Sequence, residues 1–401
     1  MSKILIATGI FPPDIGGPAT YAELIASALS KKEFKVCVLT YSNSFRIKGF
    51  DSKYRFRVVR VWGRWPIWIK HFVFGVKILG LARNYDTIYA LNVWSAGFPA
   101  LIASKIYRKK FIIRIVGDYA WEVGVGKDKV GLLIDDFQKA VKKGWIKMLY
   151  KLQGWICKKA DIVIVPSKYL AEIVKGWGVS DSKIKIIYNG VNFKPFKTEK
   201  AVSPLAGEPR LASGREEARN KIGIHGNIIL SVGRFVPWKG FRMLIKIMPQ
   251  LLNLNQFARL VIIGDGPDRE SLNSMVRNLN LDKKVFLVGK KSKEELAVYL
   301  AAADMFVLNS GYEGFSHQIL EAMTCSAPVI ASAVGGNKEV ITQGENGFLV
   351  KYNDEFNIIE AIKAVWDDKD LVAHFVEEGK KTIQKFSSEK MLDETTRVLS
   401  L

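Results

Sequence analysis

Cysteine and histidine are both scarce, with three and four in 401 residues. Cys37, Cys157 and Cys325 are odd in number, far apart and outside any CxxC or Cys/His spacing. That pattern excludes a disulfide framework or a zinc site and suits a reducing cytoplasm. A long uncharged apolar run is also missing. The longest apolar stretch, residues 65–82, carries Lys70, His71 and Lys77, which argues against a transmembrane helix. Low-complexity tracts and short-period repeats are absent too, and the 48% apolar and 25% charged content is that of a folded globular chain. The Asp368-Lys369-Asp370 spacing sits in a charged helical stretch, so no metal centre is expected.

Carboxylates are in short supply in one half only. Residues 1–195 hold 33 Lys and Arg against 13 Asp and Glu, whereas residues 196–401 are nearly balanced at 27 against 26. The first half therefore carries almost all of the net charge of +21. Such a surface attracts anionic lipid, nucleic acid or an anionic substrate, and charge alone does not choose among them.

What is present is a regular alternation of short β-rich runs with helical patterns. Residues 3–8, 35–40, 56–61, 87–91, 111–116, 162–166 and 184–188 read as strands in the first half, and 228–232, 260–264, 285–289, 305–308 and 328–332 in the second. The first of these leads into a Gly/Pro loop and not into a cleavage site for a leader. Strands buried on both faces read as continuous apolar runs, so the expectation is an α/β chain with two Rossmann-like parallel-sheet domains. Residues 193–223, rich in Pro, Lys, Glu and Gly and without apolar periodicity, read as a linker and irregular entrance, with the boundary near residue 195.

Open parallel sheets bind ligands beyond the carboxyl ends of their strands. After the first strand, Gly16 and Gly17 precede a helical pattern, where they suit either a phosphate cradle or a tight turn. After the strand at 228–232, Arg234 and Lys239 stand five residues apart on one loop. They could neutralise a diphosphate or remain solvated surface charges. After the strand at 305–308, Glu313 and Glu321 flank a loop-to-helix junction through Gly314, Phe315 and Ser316. A carboxylate accepts paired hydrogen bonds from vicinal hydroxyls, which suits a sugar and a ribose; compensation of a helix dipole is the plainer alternative.

Taken with Gly264-Asp265-Gly266-Pro267, Gly335-Gly336-Asn337-Lys338-Glu339-Val340 and Asn346-Gly347, these segments resemble the family 4 glycosyltransferases, known also as glycosyl transferases group 1. Val165-Pro166-Ser167 and Tyr188-Asn189-Gly190-Val191 resemble the end of that family's N-terminal domain. The likeness covers nearly the whole chain and is strongest over residues 160–350. It implies a GT-B fold of two Rossmann-like domains facing a cleft. The domains would run 1–195 on the acceptor side and 196–380 on the nucleotide-sugar side, with a final helix at 381–401 crossing back to the first.

The resemblance also implies retention of anomeric configuration, with a UDP- or GDP-sugar as donor and no required cofactor. Glu313 would hold donor-sugar hydroxyls, Glu321 the ribose, and Arg234 and Lys239 the diphosphate. The backbone at Gly314, Phe315 and Ser316 would line the site, and Gly16 and Gly17 would close on the diphosphate. Gly117 stands where many relatives carry His; Asp118 beside it is the substitute candidate, with an N-cap as its alternative role. His317 is the one histidine inside a motif, at a helix start.

Two stretches of the basic half interleave cations with aromatics: residues 60–77 with Trp62, Trp65, Trp68 and Phe72, and residues 139–159 with Trp145, Tyr150 and Trp155. They suit peripheral contact with an anionic membrane, or helices packed on the sheet with exposed lysines. No recognition motif accompanies the charge, so nucleic acid is not expected. The overall expectation is a cytoplasmic transferase, with peripheral contact at the inner face of the cell membrane as an option. It would act on a glycan or lipid-linked acceptor in envelope or surface polysaccharide synthesis. The alternatives are a sugar-nucleotide hydrolase or epimerase of similar fold, or a non-catalytic binding protein for sugar nucleotides or polyanions.

Overall fold

The computed structural model describes residues 2–14, 16–43, 49–127, 129–196 and 210–401. The chain divides into two compact units, Met1–Tyr188 with Ser388–Leu401, and Asn189–Ser387.

The first unit is built on a seven-stranded parallel sheet. Its strands are β1 (Lys3–Ala7), β2 (Lys35–Ser42), β3 (Arg57–Trp62), β4 (Thr87–Ala90), β5 (Lys110–Arg114), β6 (Ile162–Val165) and β7 (Ile184–Ile186). The spatial order is β3-β2-β1-β4-β5-β6-β7, so the chain reverses direction across the sheet between β1 and β4. In parallel sheets such a reversal opens a crevice at the carboxyl ends of the strands.

Side-chain alternation divides this sheet between two helical layers. Ile4, Ile6, Val36, Val38, Tyr89, Ile112 and Ile164 point to one face and pack with the helix Gly17–Lys31 and the terminal helix Ser388–Ser400. Met391 and Leu399 of the terminal helix join that core, Thr395 Oγ1 lies 3.5 Å from Tyr21 Oη, and Lys32 pairs with Asp393 at 2.6 Å. Residues of opposite parity face the other way, where Tyr41 stacks on Phe74 of the helix Ile67–Ala82 at 4.7 Å. That helix packs on Phe98–Tyr107, which in turn packs on Gly144–Lys159.

The second unit carries a six-stranded parallel sheet in the order β10-β9-β8-β11-β12-β13. The strands are β8 (Asn227–Val232), β9 (Ala258–Ile263), β10 (Val285–Leu287), β11 (Met305–Leu308), β12 (Val329–Ser332) and β13 (Phe348–Val350). All twelve strands expected from apolar runs form. The thirteenth, Phe348–Val350, is an edge strand paired with β12 and lies outside the expected runs. The segments at the two ends of this unit are joined by a parallel bridge between Val191 and Ser387, with Val191 N donating to Phe386 O at 2.9 Å.

The linker expectation at residues 193–223 needs correcting. Residues 197–209 lie outside the described residues, but Arg210–Ile222 forms a helix. The helix has no apolar stripe to announce it. It is held by Asp304, which pairs with Arg215 at 3.1 Å and Arg219 at 2.5 Å, and by its packing on the helix Lys293–Ala302. Among the described residues no helix is long and apolar enough to cross a membrane.

Candidate functional site

The loops that leave the carboxyl ends of the second sheet are laced together by backbone. Phe235 N donates to Asp265 O at 3.0 Å and Asp268 N to Phe235 O at 3.2 Å, which joins the loops after β8 and β9. Gly311 N donates to Trp238 O at 2.6 Å, and Gly336 N to Glu313 O at 3.0 Å, which adds the loops after β11 and β12. Gly240 has φ of +60°, and a Cβ there would collide with the carbonyl oxygen of Asn309. A Cβ on Gly336 would lie 2.5 Å from Gly314 O. Both positions need glycine because two main chains meet side by side.

This lacing brings Lys239 against Glu313: the Nζ to Oε1 distance is 2.5 Å, with 14% and 11% of the side chains exposed. In a site so little hydrated the pair is charge-assisted and holds both groups in place. Arg234, on the same loop, is exposed, and its side chain has no hydrogen-bond or ion-pair partner among the described residues. One cation is thus stored against a carboxylate and the other is open to an incoming anion.

The helix His317–Thr324 starts at the end of the β11 loop, with Ser316 at its N-cap and no side-chain cap bond. Ser316 is buried, yet its Oγ has no hydrogen-bond partner; nor has Ser310 Oγ at the start of the loop, nor Asn337 Oδ1 opposite it. These three atoms have no accessible surface and do not themselves face a ligand; the uncapped helix start, whose first N–H groups have no side-chain partner, is what offers a place for one. Asn309 is spent inside the loops, donating from Nδ2 to Gly240 O at 3.1 Å and to Asn353 Oδ1 at 2.8 Å.

Further along the same helix, Glu321 is half-buried and its side chain makes no hydrogen bond or ion pair among the described residues. Burial pushes its carboxyl up to about 7, opposed by the positive charge of Lys293. A carboxylate left unpaired in such a place has both oxygens available to a diol. His317 is half-buried at the helix start.

In the first unit, Gly16 is the N-cap of the helix Gly17–Lys31, with Pro18 in its first turn and no capping side chain. The first turns of this helix lie over a buried cation that sequence reasoning overlooked inside an apolar run: the Arg114 guanidinium sits 3.7 Å from the ring of Tyr21, whose hydroxyl meets that of Tyr89 at 2.8 Å. A helix N-terminus with a buried guanidinium beneath it is favourable ground for an anion.

Asp118 occupies a different environment. It is fully buried, and Oδ1 accepts from Trp121 N at 3.0 Å and Gln153 Nε2 at 2.9 Å while Oδ2 accepts from Gln138 Nε2 at 2.8 Å. The carboxylate caps the helix Tyr119–Gly126 and bridges two glutamines, which is the N-cap alternative and leaves it no oxygen facing a substrate. Trp121 is likewise packed, donating Nε1–H to Leu132 O at 2.9 Å. Among the described residues no group of acidic, His and Cys side chains could hold a metal ion.

A parallel sheet with cations, carboxylates and an uncapped helix start gathered at its carboxyl edge can receive a phosphorylated, hydroxyl-bearing ligand. The model for glycosyl transferases group 1 matches residues 214–382, and that for Glycosyltransferase Family 4 matches residues 15–194. An uncharacterized glycosyltransferase of Methanocaldococcus jannaschii is 35% identical over 97% of this chain and 95% of its own length. The N-acetylgalactosamine-N,N'-diacetylbacillosaminyl-diphospho-undecaprenol 4-alpha-N-acetylgalactosaminyltransferase of Campylobacter jejuni is 26% identical over 66% of this chain and 65% of that protein. Among solved structures, HepE of Anabaena in complex with UDP and glucose shares the fold with a TM-score of 0.79 at 22% identity, covering 100% of both chains. The protein belongs to the family 4 glycosyltransferases.

Proposed function

We propose that this glycosyltransferase moves a sugar, with retention, from a UDP- or GDP-sugar onto a lipid-linked or glycan acceptor. The observation that carries the reading is the gathering of Arg234, the Lys239–Glu313 pair and the uncapped start of the helix His317–Thr324 at one edge of one sheet. Glu313 accepts hydrogen bonds from donor-sugar hydroxyls, and Glu321 from the ribose diol. Arg234, Lys239 and the helix N–H groups receive the diphosphate, with Gly314, Phe315 and Ser316 beside it. Gly16 and Gly17, at a helix start in the first unit, bind phosphate through backbone N–H groups.

The chemistry follows from the charge that develops. The bond from the anomeric carbon to the leaving phosphate oxygen breaks, and that bond's electron pair stays on the diphosphate. The acceptor hydroxyl oxygen bonds to the anomeric carbon on the same face, and its proton passes to the departing phosphate oxygen. No side-chain nucleophile is needed. What the protein supplies is stabilisation of the leaving charge by fixed cations and N–H dipoles. With Arg234 and Lys239 in that role, a metal ion is not required for the leaving group.

The Campylobacter jejuni relative, whose name places its acceptor on diphospho-undecaprenol, supports a lipid-linked acceptor. Peripheral contact of the basic first unit with the inner face of the membrane belongs to the same reading.

The test is a thermal-shift screen of UDP, GDP, ADP and their sugar conjugates, since a ligand bound only by the folded state raises apparent stability. One nucleotide family should stabilise the protein, and Glu321→Ala should abolish the shift. Indifference to every nucleotide, or free sugar released at the same rate with and without acceptor, would overturn the proposal.

A further inference from the structure

The helical layer of the first unit that faces away from Gly17–Lys31 includes three neighbouring helices, Ile67–Ala82, Phe98–Tyr107 and Gly144–Lys159. None of the three contains an Asp or Glu. Each nonetheless turns large apolar side chains outward. Trp68 is 70% exposed, Phe72 71%, Ile106 58% and Met148 60%. On Ile67–Ala82 the exposed residues Trp68, Phe72 and Val76 follow one another at four-residue steps, as do Phe98, Ile102 and Ile106 on the next helix. These are continuous stripes on the outer faces of amphipathic helices, while the inner faces bury Phe74, Ile78, Leu101 and Ile156.

Cations lie between the stripes. Along Gly144–Lys159, Lys147 and Lys151 alternate with Met148, Leu152 and Trp155 around a shallow groove of about 480 Å³. Lys105 is exposed beside Ile102 and Ile106. The ion pairs of the first unit among the described residues, such as Lys32–Asp393, Arg60–Asp51 and Lys175–Glu172, involve no residue of these helices. The three helices therefore present a face that is apolar and positively charged, and none of them supplies a counter-charge of its own; an acidic neighbour, Glu122, stands on the helix Tyr119–Gly126 that packs on Gly144–Lys159.

We propose that this three-helix face docks on an anionic lipid bilayer, an inference that rests on the reading of a lipid-linked acceptor and specifies which surface meets the membrane. Indole and phenyl rings enter the interface between headgroups and acyl chains, and lysine stems run along them to bring ammonium groups to lipid phosphates. A second copy of the chain is disfavoured as occupant because it would set uncompensated lysines against lysines. Nucleic acid is disfavoured because the Val, Ile and Met of the stripes neither stack on bases nor pair with phosphate. The third helix, Phe98–Tyr107, carries too little charge to be noticed in sequence and joins the face only through its packing between the other two.

The experiment is sedimentation of the full chain with vesicles of phosphatidylcholine alone and of phosphatidylcholine with phosphatidylglycerol, with tryptophan emission recorded. The expected result is binding to the anionic vesicles only, a blue shift of emission, and weakening by salt. The pairs W68S/F72S and K147E/K151E are chosen for their exposure. Each should bind anionic vesicles at least about tenfold more weakly, given roughly one factor of five per lysine near such a surface. Both should keep the wild-type melting temperature and the wild-type thermal shift with donor nucleotide.

Equal binding to neutral and anionic vesicles, undiminished binding by K147E/K151E, or tighter retention on single-stranded oligonucleotide than on vesicles overturns the proposal. So does a dimer that W68S/F72S converts to monomer. Absent vesicle binding with an intact nucleotide shift removes the docking face and leaves the donor reading in place. Vesicle binding with no nucleotide shift does the reverse.

Discussion

Lys239 Nζ lies 2.5 Å from Glu313 Oε1, so the ammonium that would meet a diphosphate and the carboxylate that would meet the sugar hold each other before any donor arrives. The two side chains are mostly shielded from water, and removing one leaves the other charge uncompensated. Lys239→Ala should therefore cost about 2 kcal/mol of stability and lower kcat by roughly 10²- to 10³-fold, the scale found for a lost oxyanion donor. In Lys239→Ala/Glu313→Ala much of the stability should return while activity stays low. Urea melts and initial rates on the three variants check this; strictly additive stability losses would count against the pairing.

Arg234 offers the contrasting case. Its side chain is exposed and bonded to nothing among the described residues. Arg234→Ala should leave the melting temperature within the small range typical of surface changes, about 0.5 kcal/mol in free energy, yet depress turnover about a hundredfold or more. A variant with near-normal turnover would remove Arg234 from the leaving-group site.

Glu321 ties stability to pH. Its carboxyl is pushed up to about 7 in the fold from an ordinary value of 4.5. Between those values the folded state holds a proton that the unfolded state has released, so this residue's contribution to stability falls as pH rises from about 4.5 to about 7. The full effect is at most roughly 3 kcal/mol. Glu321→Gln should flatten the curve in that window and be more stable than wild type at pH 8, while binding donor nucleotide more weakly. Wild-type donor affinity should rise with pH through the same range, because the ionised carboxylate is the form that accepts from the ribose. Chemical denaturation and nucleotide titration at several pH values measure both.

Asp118 should behave as a structural residue. Asp118→Ala removes a helix cap and strands Gln138 and Gln153, at a cost of about 2–4 kcal/mol. Protein that still folds should retain kcat within a few-fold at low temperature. A folded variant with turnover reduced by orders of magnitude would return Asp118 to the catalytic candidates.

Much of the fold was legible because buried parallel strands announce themselves as apolar runs, and the runs at 3–8 and 228–232 are cases that periodicity cannot miss. Phe348–Val350 escaped although β7 and β10 are equally short, because those two sit inside largely apolar five-residue runs while Phe348–Val350 lies between Gly347 and Lys351. The helix Arg210–Ile222 escaped because its anchor, Asp304, lies about eighty residues away and binds it through charge. Within the site, Arg234, Lys239, Glu313 and Glu321 could be picked out by their places after strands and within motifs. The contact between Lys239 and Glu313 could not be, since the two lie 74 residues apart in the chain.

The amino-acid sequence by itself determined the alternation of strands and helices, the charge imbalance between the halves and the short segments that face a ligand, because each is a local property of residue type and spacing. The tertiary structure alone decided that Lys239 meets Glu313, that Asp118 is consumed by a cap, and that three helices separated along the chain expose one continuous basic and apolar face. These depend on which residues packing brings together and which it leaves to the solvent, and no local rule encodes either.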